Sequence, residues 1–144
     1  MLTLLRTLLA PSPPRLAEPD ARLALAALLV RVARSDGDYA TAEIDHIDAI
    51  LMQRHGLTRA DAAALRAQAE VVEIEAPDTV RFTRALKSAI PIEDRIDLVE
   101  ALWTVALADG NRDENEDRLL RLVSSLLGLT DVESAQARQR VQNQ

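Results

Sequence analysis

Two runs of this chain, ARLALAALLVRVARSDGD at 21–38 and LVEALWTVALADGN at 98–111, each carry an apolar stretch into an Asp-Gly pair, and the two pairs stand 73 residues apart. A helix so rarely interrupted by polar residues must be covered on most of its surface. A chain with two of them must therefore place both at its centre and wrap the remaining elements around them. The echo extends further. ARSDGDYATAEIDHI at 33–47 is matched by ALADGNRDENEDRLL at 106–120, and Gly56-Leu57-Thr58 by Gly128-Leu129-Thr130 after the loss of one residue. Each copy reads as core helix, acidic turn, amphipathic helix, Gly-Leu-Thr and outer helix. A further helix carrying Phe82, Leu86 and Ile90 lies between the copies and begins near Pro77. Two copies are too few for a solenoid, which needs at least three units to build a continuous stack. The pattern instead predicts an all-α compact bundle of about seven or eight helices with an internal pseudo-twofold repeat.

The 144 residues suffice for one domain, and 48% of them are hydrophobic with only three aromatics, a palette suited to helix interiors. The periodicity makes residues 23–33 and 96–107 the central helices, the second with Ile96, Val99, Leu102, Trp103 and Ala106 at helical spacing and Pro91 at its first position. Ile44, Ile47, Ile50 and Leu51 share one face of the helix after the first turn. Leu119, Leu120, Val123, Leu126 and Leu127 do so after the second. Gly56 and Gly128 suit left-handed helix caps, Thr58 and Thr130 suit N-caps, and Gly37 and Gly110 suit the sharp turns. Phe82 and Trp103 read as core. Residues 1–18 form a short amphipathic helix, with Leu2, Leu5 and Leu9 on one face, and a Pro-rich linker; residues 19–144 form the domain proper.

Composition removes several functions. A net charge of −6 argues against nucleic acid as partner, because phosphate contacts need clustered Lys and Arg. The absence of cysteine excludes disulfides, thiolate catalysis and thiolate zinc sites. The chain has no nucleophile elbow and no phosphate-cradling glycine loop, so no small-molecule substrate is expected. Arg6 interrupts an apolar start already too short for a signal peptide or membrane span, which gives a cytoplasmic expectation. The same segment, residues 1–10, allows peripheral contact with the inner membrane, although its three arginines within reach are dispersed.

The acidic turns carry the candidate site. Residues 36–50 hold five acids and no Lys or Arg, whereas residues 1–35 hold five arginines against two acids. Asp36, Asp38 and Glu43 in the first turn, and Asp109, Asp113 and Glu116 in the second, offer oxygen ligands of the kind calcium or magnesium takes. The glycine directly after the first aspartate rules out an EF-hand, whose glycine falls at the sixth position. A structural reading competes, since Asp113 and Glu116 stand three apart as in a capping box. Ala40 breaks that pattern in the first copy, and Arg112 offsets acids in the second, so the first turn is the better cation or basic-partner site. His46 and His55, nine residues apart, cannot share a metal within one helix. Glu43 and His46 do have the Glu-x-x-His spacing of carboxylate-bridged metal enzymes, but Arg118 and Leu119 fill the counterpart positions.

Paired Asp-Gly turns, each followed seven residues after its aspartate by glutamate, together with LMQRHGLT and SSLLGLT, resemble the TerB family, the tellurite-resistance protein B-like domain, over roughly residues 20–140. The resemblance implies an all-helical bundle with a metal-binding acidic surface. It also implies links to tellurite and other chemical stress, and to complexes near the inner face of bacterial membranes. A similar domain precedes the J-domain of some membrane-anchored co-chaperones. Carried over by position, the acidic residues are Asp36, Glu43, Asp109 and Glu116. Tellurite reduction needs an electron donor or soft ligand, which a cysteine-free chain does not supply. The expectation is therefore a non-enzymatic module that presents acidic turns to a divalent cation or a protein partner, set against a carboxylate-bridged metal enzyme or a membrane-surface adaptor.

Overall fold

The computed structural model describes residues 4–6, 9, 18–35, 39, 41–76, 83, 84, 86, 87, 90–107 and 114–143, with the side chains of 18–21 and 114–116 outside that set. Helices α1 (Glu18–Arg34), α2 (Thr41–His55), α3 (Arg59–Glu75), α4 (Ile92–Ala106), α5 (Glu114–Leu126) and α6 (Asp131–Gln142) make up most of it. Residues 4–6, 83, 84, 86 and 87 are also helical, and no strand occurs among the described residues.

The repeat is visible in how the helices pack. α1 lies against α3, α2 against α3, α1 against α2, and α5 against α1; the corresponding pairs α4 with α6, α5 with α6, α4 with α5, and α2 with α4 are also in contact. Exchanging α1 for α4, α2 for α5 and α3 for α6 thus returns the same set, with the α1–α4 pair mapping onto itself. That pair is the centre of the bundle, as the apolar runs require. Ala24 to Val30, Val32 and Ala33 are buried along α1, and Leu98, Val99, Leu102, Trp103, Val105 and Ala106 along α4. Each amphipathic helix contributes one stripe, Ile47 and Leu51 from α2 and Leu120, Val123 and Leu127 from the α5 side, all wholly buried. Leu86 from the intervening helix is buried too, while Phe82 lies outside the described residues.

The Gly-Leu-Thr segments end one helix and start the next. Gly56 and Gly128 have φ of 64° and 90°. The Leu57 amide donates to Met52 O at 3.2 Å and the Leu129 amide to Ser124 O at 2.9 Å, closing Schellman caps. Thr58 then accepts from the Asp61 amide, and Thr130 forms a full capping box with Glu133. The exchanged hydrogen bonds with Thr130 hold the Glu133 carboxyl below its ordinary range. Sequence reading placed its capping box at Asp113 and Glu116. Asp113 lies outside the described residues, as do Gly37 and Gly110. The box that is seen, Thr130-Asp-Val-Glu133, has the same spacing. Replacing Gly56 by alanine is expected to lower stability by about 1 kcal/mol through its left-handed φ alone, because nothing lies within 4 Å of the added Cβ. The midpoint of urea unfolding measures the shift.

Two expectations need amendment. Pro91 is the N-cap of α4 rather than its first helical residue: its ψ is 151°, and its carbonyl accepts from the Asp94 and Arg95 amides at 3.0 and 3.2 Å. A residue without an N–H fits either position, so the periodicity does not separate them. At the N-terminus the buried pair is Leu4 and Leu5, whereas Leu9 is 39% exposed. Of the face expected from Leu2, Leu5 and Leu9, Leu5 is buried and Leu9 is not, Leu2 lies outside the described residues, and Leu4 and Leu5 join the main core.

Candidate functional site

Glu43 is the described member of the expected acidic set, and it is buried at 1% exposure. It occupies the first turn of α2, on the stripe continued by Ile47 and Leu51, so the helix turns this carboxylate inward with its apolar neighbours. A carboxylate there gains from the positive end of the helix dipole but loses hydration. Asp36, Asp38, Asp109 and Asp113 lie outside the described residues, as does the side chain of Glu116. Among the described residues no three His, Asp or Glu side chains converge as a metal cage would need. His46 is exposed, so Glu43 and His46, despite their spacing, do not share a site. His55 is half-buried at the end of α2.

The charge around the first turn is less one-sided than residues 36–50 suggest. Asp48 accepts from Arg66 Nε of α3 at 2.6 Å, and Arg66 also reaches Glu70 at 3.4 Å. The hydrogen bond to Asp48 raises the Arg66 pKa further. From α1, Arg31 and Arg34 both engage Glu73, at 3.2 and 2.8 Å. The Arg34 guanidinium also stacks over the Tyr39 ring, 5.1 Å from its centroid. The Tyr39 hydroxyl is buried, and its pKa is pushed up strongly by burial and by the neighbouring Glu70 carboxylate. Arg34 and Arg66 thus bring positive charge to Tyr39 and Asp48, within the acid-rich stretch of residues 36–50. Sequence reading missed them because Arg66 is 18 residues from Asp48 and the two α1 arginines about 40 from Glu73.

The second copy is built differently on the corresponding face. Arg138 of α6 stands in register with Arg66, but it stacks over the Trp103 ring at 5.1 Å. Counted back from the matched glycine caps, Asp48 is replaced in register by Leu120, and Glu70 by Gln142. Between α5 and α6, Ser124 and Ser134 hydroxyls meet at 3.1 Å where the first copy has Met52 and Ala62. Arg140 pairs with Glu100 beside an open crevice of about 290 Å³ that Arg54, Asp97, Glu100 and Thr104 help line. Comparing the two copies position by position was the signal that would have flagged these departures.

No match was found among curated proteins. A crystal structure described as a protein of unknown function, PG1108 from Porphyromonas gingivalis W83, superposes with a TM-score of 0.63 over 90% of this chain and 92% of that one. At 21% identity the likeness establishes a shared fold. No helix among the described residues is long and apolar enough to cross a membrane. The family described as tellurite resistance protein TerB matches residues 22–139, a span that takes in both acidic turns and both Gly-Leu-Thr segments, and the chain belongs to that family.

Proposed function

We propose that this protein is a non-enzymatic interaction module of TerB type, whose acidic helix-opening turns hold a divalent cation, calcium or magnesium, and present it to a protein partner. The observation that carries the reading is the burial of Glu43 beside the first Asp-Gly turn. A carboxylate fixed inside the fold at a helix entry has the defined position that an oxygen ligand of a cation needs. The turn that precedes it supplies Asp36 and Asp38, the oxygen ligands a hard cation takes. Family membership supports a role in the response to tellurite or other chemical stress. With no thiol in the chain, that role is recruitment rather than chemistry on tellurite. A cytoplasmic location, at or near the inner membrane, fits such a recruiter.

The test is calcium titration of wild type, Asp36→Asn and Asp109→Asn, read as thermal stability. A ligand that binds the native state raises its melting temperature. Wild type is expected to rise, Asp36→Asn to lose most of the rise, and Asp109→Asn to lose less. No rise in wild type at about millimolar calcium, the weak end of protein sites, sinks the cation reading. A rise abolished by Asp109→Asn alone moves the site to the second turn.

A further inference from the structure

Helix α3 is apolar on two opposite sides. Its inner side buries Ala62, Ala69 and Val72, so an amphipathic helix in this place should be polar outside. Instead Ala60, Ala64, Ala67, Val71 and Ile74 follow one another along the outer side at alternating steps of four and three. All five are exposed, Val71 at 40% and Ile74 at 70%. The internal repeat supplies the control, because α6 holds the equivalent place and opens on the same cap, Thr130 matching Thr58. In register from that cap, Val132 stands for Ala60, but Ala64, Ala67 and Val71 become Gln136, Gln139 and Asn143, all exposed. The first copy thus keeps an apolar face where the second has a solvated one. Between α1 and α3 lies an open groove of about 350 Å³, lined by Leu23, Leu57, Ala64 and Leu65 with Arg22, Asp61 and Gln68 as its polar members. Ala64 belongs to both, so stripe and groove form one surface.

Steps of four and three are those of a coiled-coil seam, into which a helix laid alongside inserts its own side chains. The alanines let a second helix approach closely, while Val71, Ile74 and the groove supply apolar area to bury. The rows flanking the seam carry Asp61, Glu70 and Glu75 and no Lys or Arg. Glu70 pairs with Arg66, whereas Asp61 and Glu75 are exposed. Glu75 also closes α3 at the negative end of its dipole, with no basic residue in the last turn. A second copy of the chain would set Asp61 of one against Glu75 of the other in an antiparallel pair, and Glu70 against Glu75 in a parallel one. Either arrangement opposes acid to acid. We propose that the outer face of α3 docks an amphipathic helix of a partner protein, with an apolar stripe at the same spacing and Lys or Arg beside it to meet Asp61 and Glu75. An apolar side chain of that helix enters the α1/α3 groove. The proposal rests on the reading of the protein as an interaction module, but not on a bound cation.

The isotope-labelled full chain is titrated with a peptide of about 20 residues, long enough to form a helix, bearing Leu and Ala at the seam positions and Lys at the flanking ones. A chelator is present throughout, which separates the outcome from that of the calcium titration. A peptide with Glu in place of Lys and a scrambled peptide of the same composition run in parallel. The Lys peptide is expected to shift the amide resonances of α3, Leu23 and Leu57 saturably and to bind more weakly with added salt, and the other two to leave them unshifted. Ala67→Gln with Val71→Asn, which gives α3 the residues of α6, should weaken binding at least about tenfold. Both positions are exposed, so the melting temperature should stay nearly unchanged. Glu75→Gln should weaken binding about two- to fivefold, the worth of one exposed ion pair. The proposal is overturned if the Lys peptide shifts nothing on α3, if the Glu peptide binds equally well, or if the double variant binds as wild type does. A wild-type dimer in sedimentation that the double variant dissociates assigns the face to a second copy and overturns it as well.

Discussion

Truncating Leu102 to alanine should cost about 3–4 kcal/mol of unfolding free energy, and truncating Leu29 should cost the same to within about 1 kcal/mol. The two leucines are repeat counterparts, one on each central helix, and both are wholly buried. The loss combines the transfer free energy of the removed carbons with the cavity left behind, and a helix covered on most sides has little freedom to collapse into that cavity. Against a typical total of roughly 5–15 kcal/mol, either change removes a large share of the stability. Val132→Ala and Ile74→Ala, at 66% and 70% exposure, should shift stability by no more than about 0.5 kcal/mol. Urea unfolding of the four variants measures all of this. If Leu102→Ala matches the exposed controls, α4 is not central. If Leu29 and Leu102 differ by several kcal/mol, the two halves do not share the core equally.

Most of the fold was legible because it is written in local periodicity. The runs around Leu29 and Leu102 leave no polar face for solvent, and a buried helix pair follows whatever the partners are. Gly56 and Gly128 could be placed for a similar reason: a glycine after the last apolar stripe, with a threonine two residues on, satisfies the cap at one helix end and the N-terminus of the next. The candidate site was less legible, because its electrostatics join residues far apart in sequence. Counting acids in residues 36–50 gave a strongly negative turn, whereas the fold brings Arg66 to Asp48 and sets Arg34 over Tyr39. Nor does a local count tell an exposed ligand from an inward one. Glu43 shares a stripe with Ile47 and Leu51, and that stripe could have been extended back one turn from the isoleucine to anticipate a buried carboxylate.

Transplanting a buried pair from one copy into the other tests whether the repeat holds at the level of side chains. Ser124 and Ser134, 2% and 5% exposed, share a hydrogen bond of 3.1 Å, and Ser124 also bonds Leu120 O at 2.7 Å. Counted back from the matched glycine caps, their counterparts in register are Met52, half-buried, and Ala62, wholly buried. The Met–Ala pair is the bulkier of the two, and the first copy accommodates it because Met52 reaches the edge of the contact. Ser124→Met alone should cost about 2–4 kcal/mol, because it overpacks the α5/α6 contact and takes the Ser124 hydroxyl from its buried partner. Ser134→Ala alone should cost about 1 kcal/mol, since the Ser124 hydroxyl keeps its bond to Leu120 O. The double variant, which recreates the Met–Ala pair, should cost about 1 kcal/mol less than the sum of the single losses, because it leaves no buried hydroxyl without its partner. That difference is a favourable coupling within the usual range for residues in contact, read from urea unfolding of the three variants as a double-mutant cycle. Additive losses would mean that the two halves share helix order without sharing side-chain register.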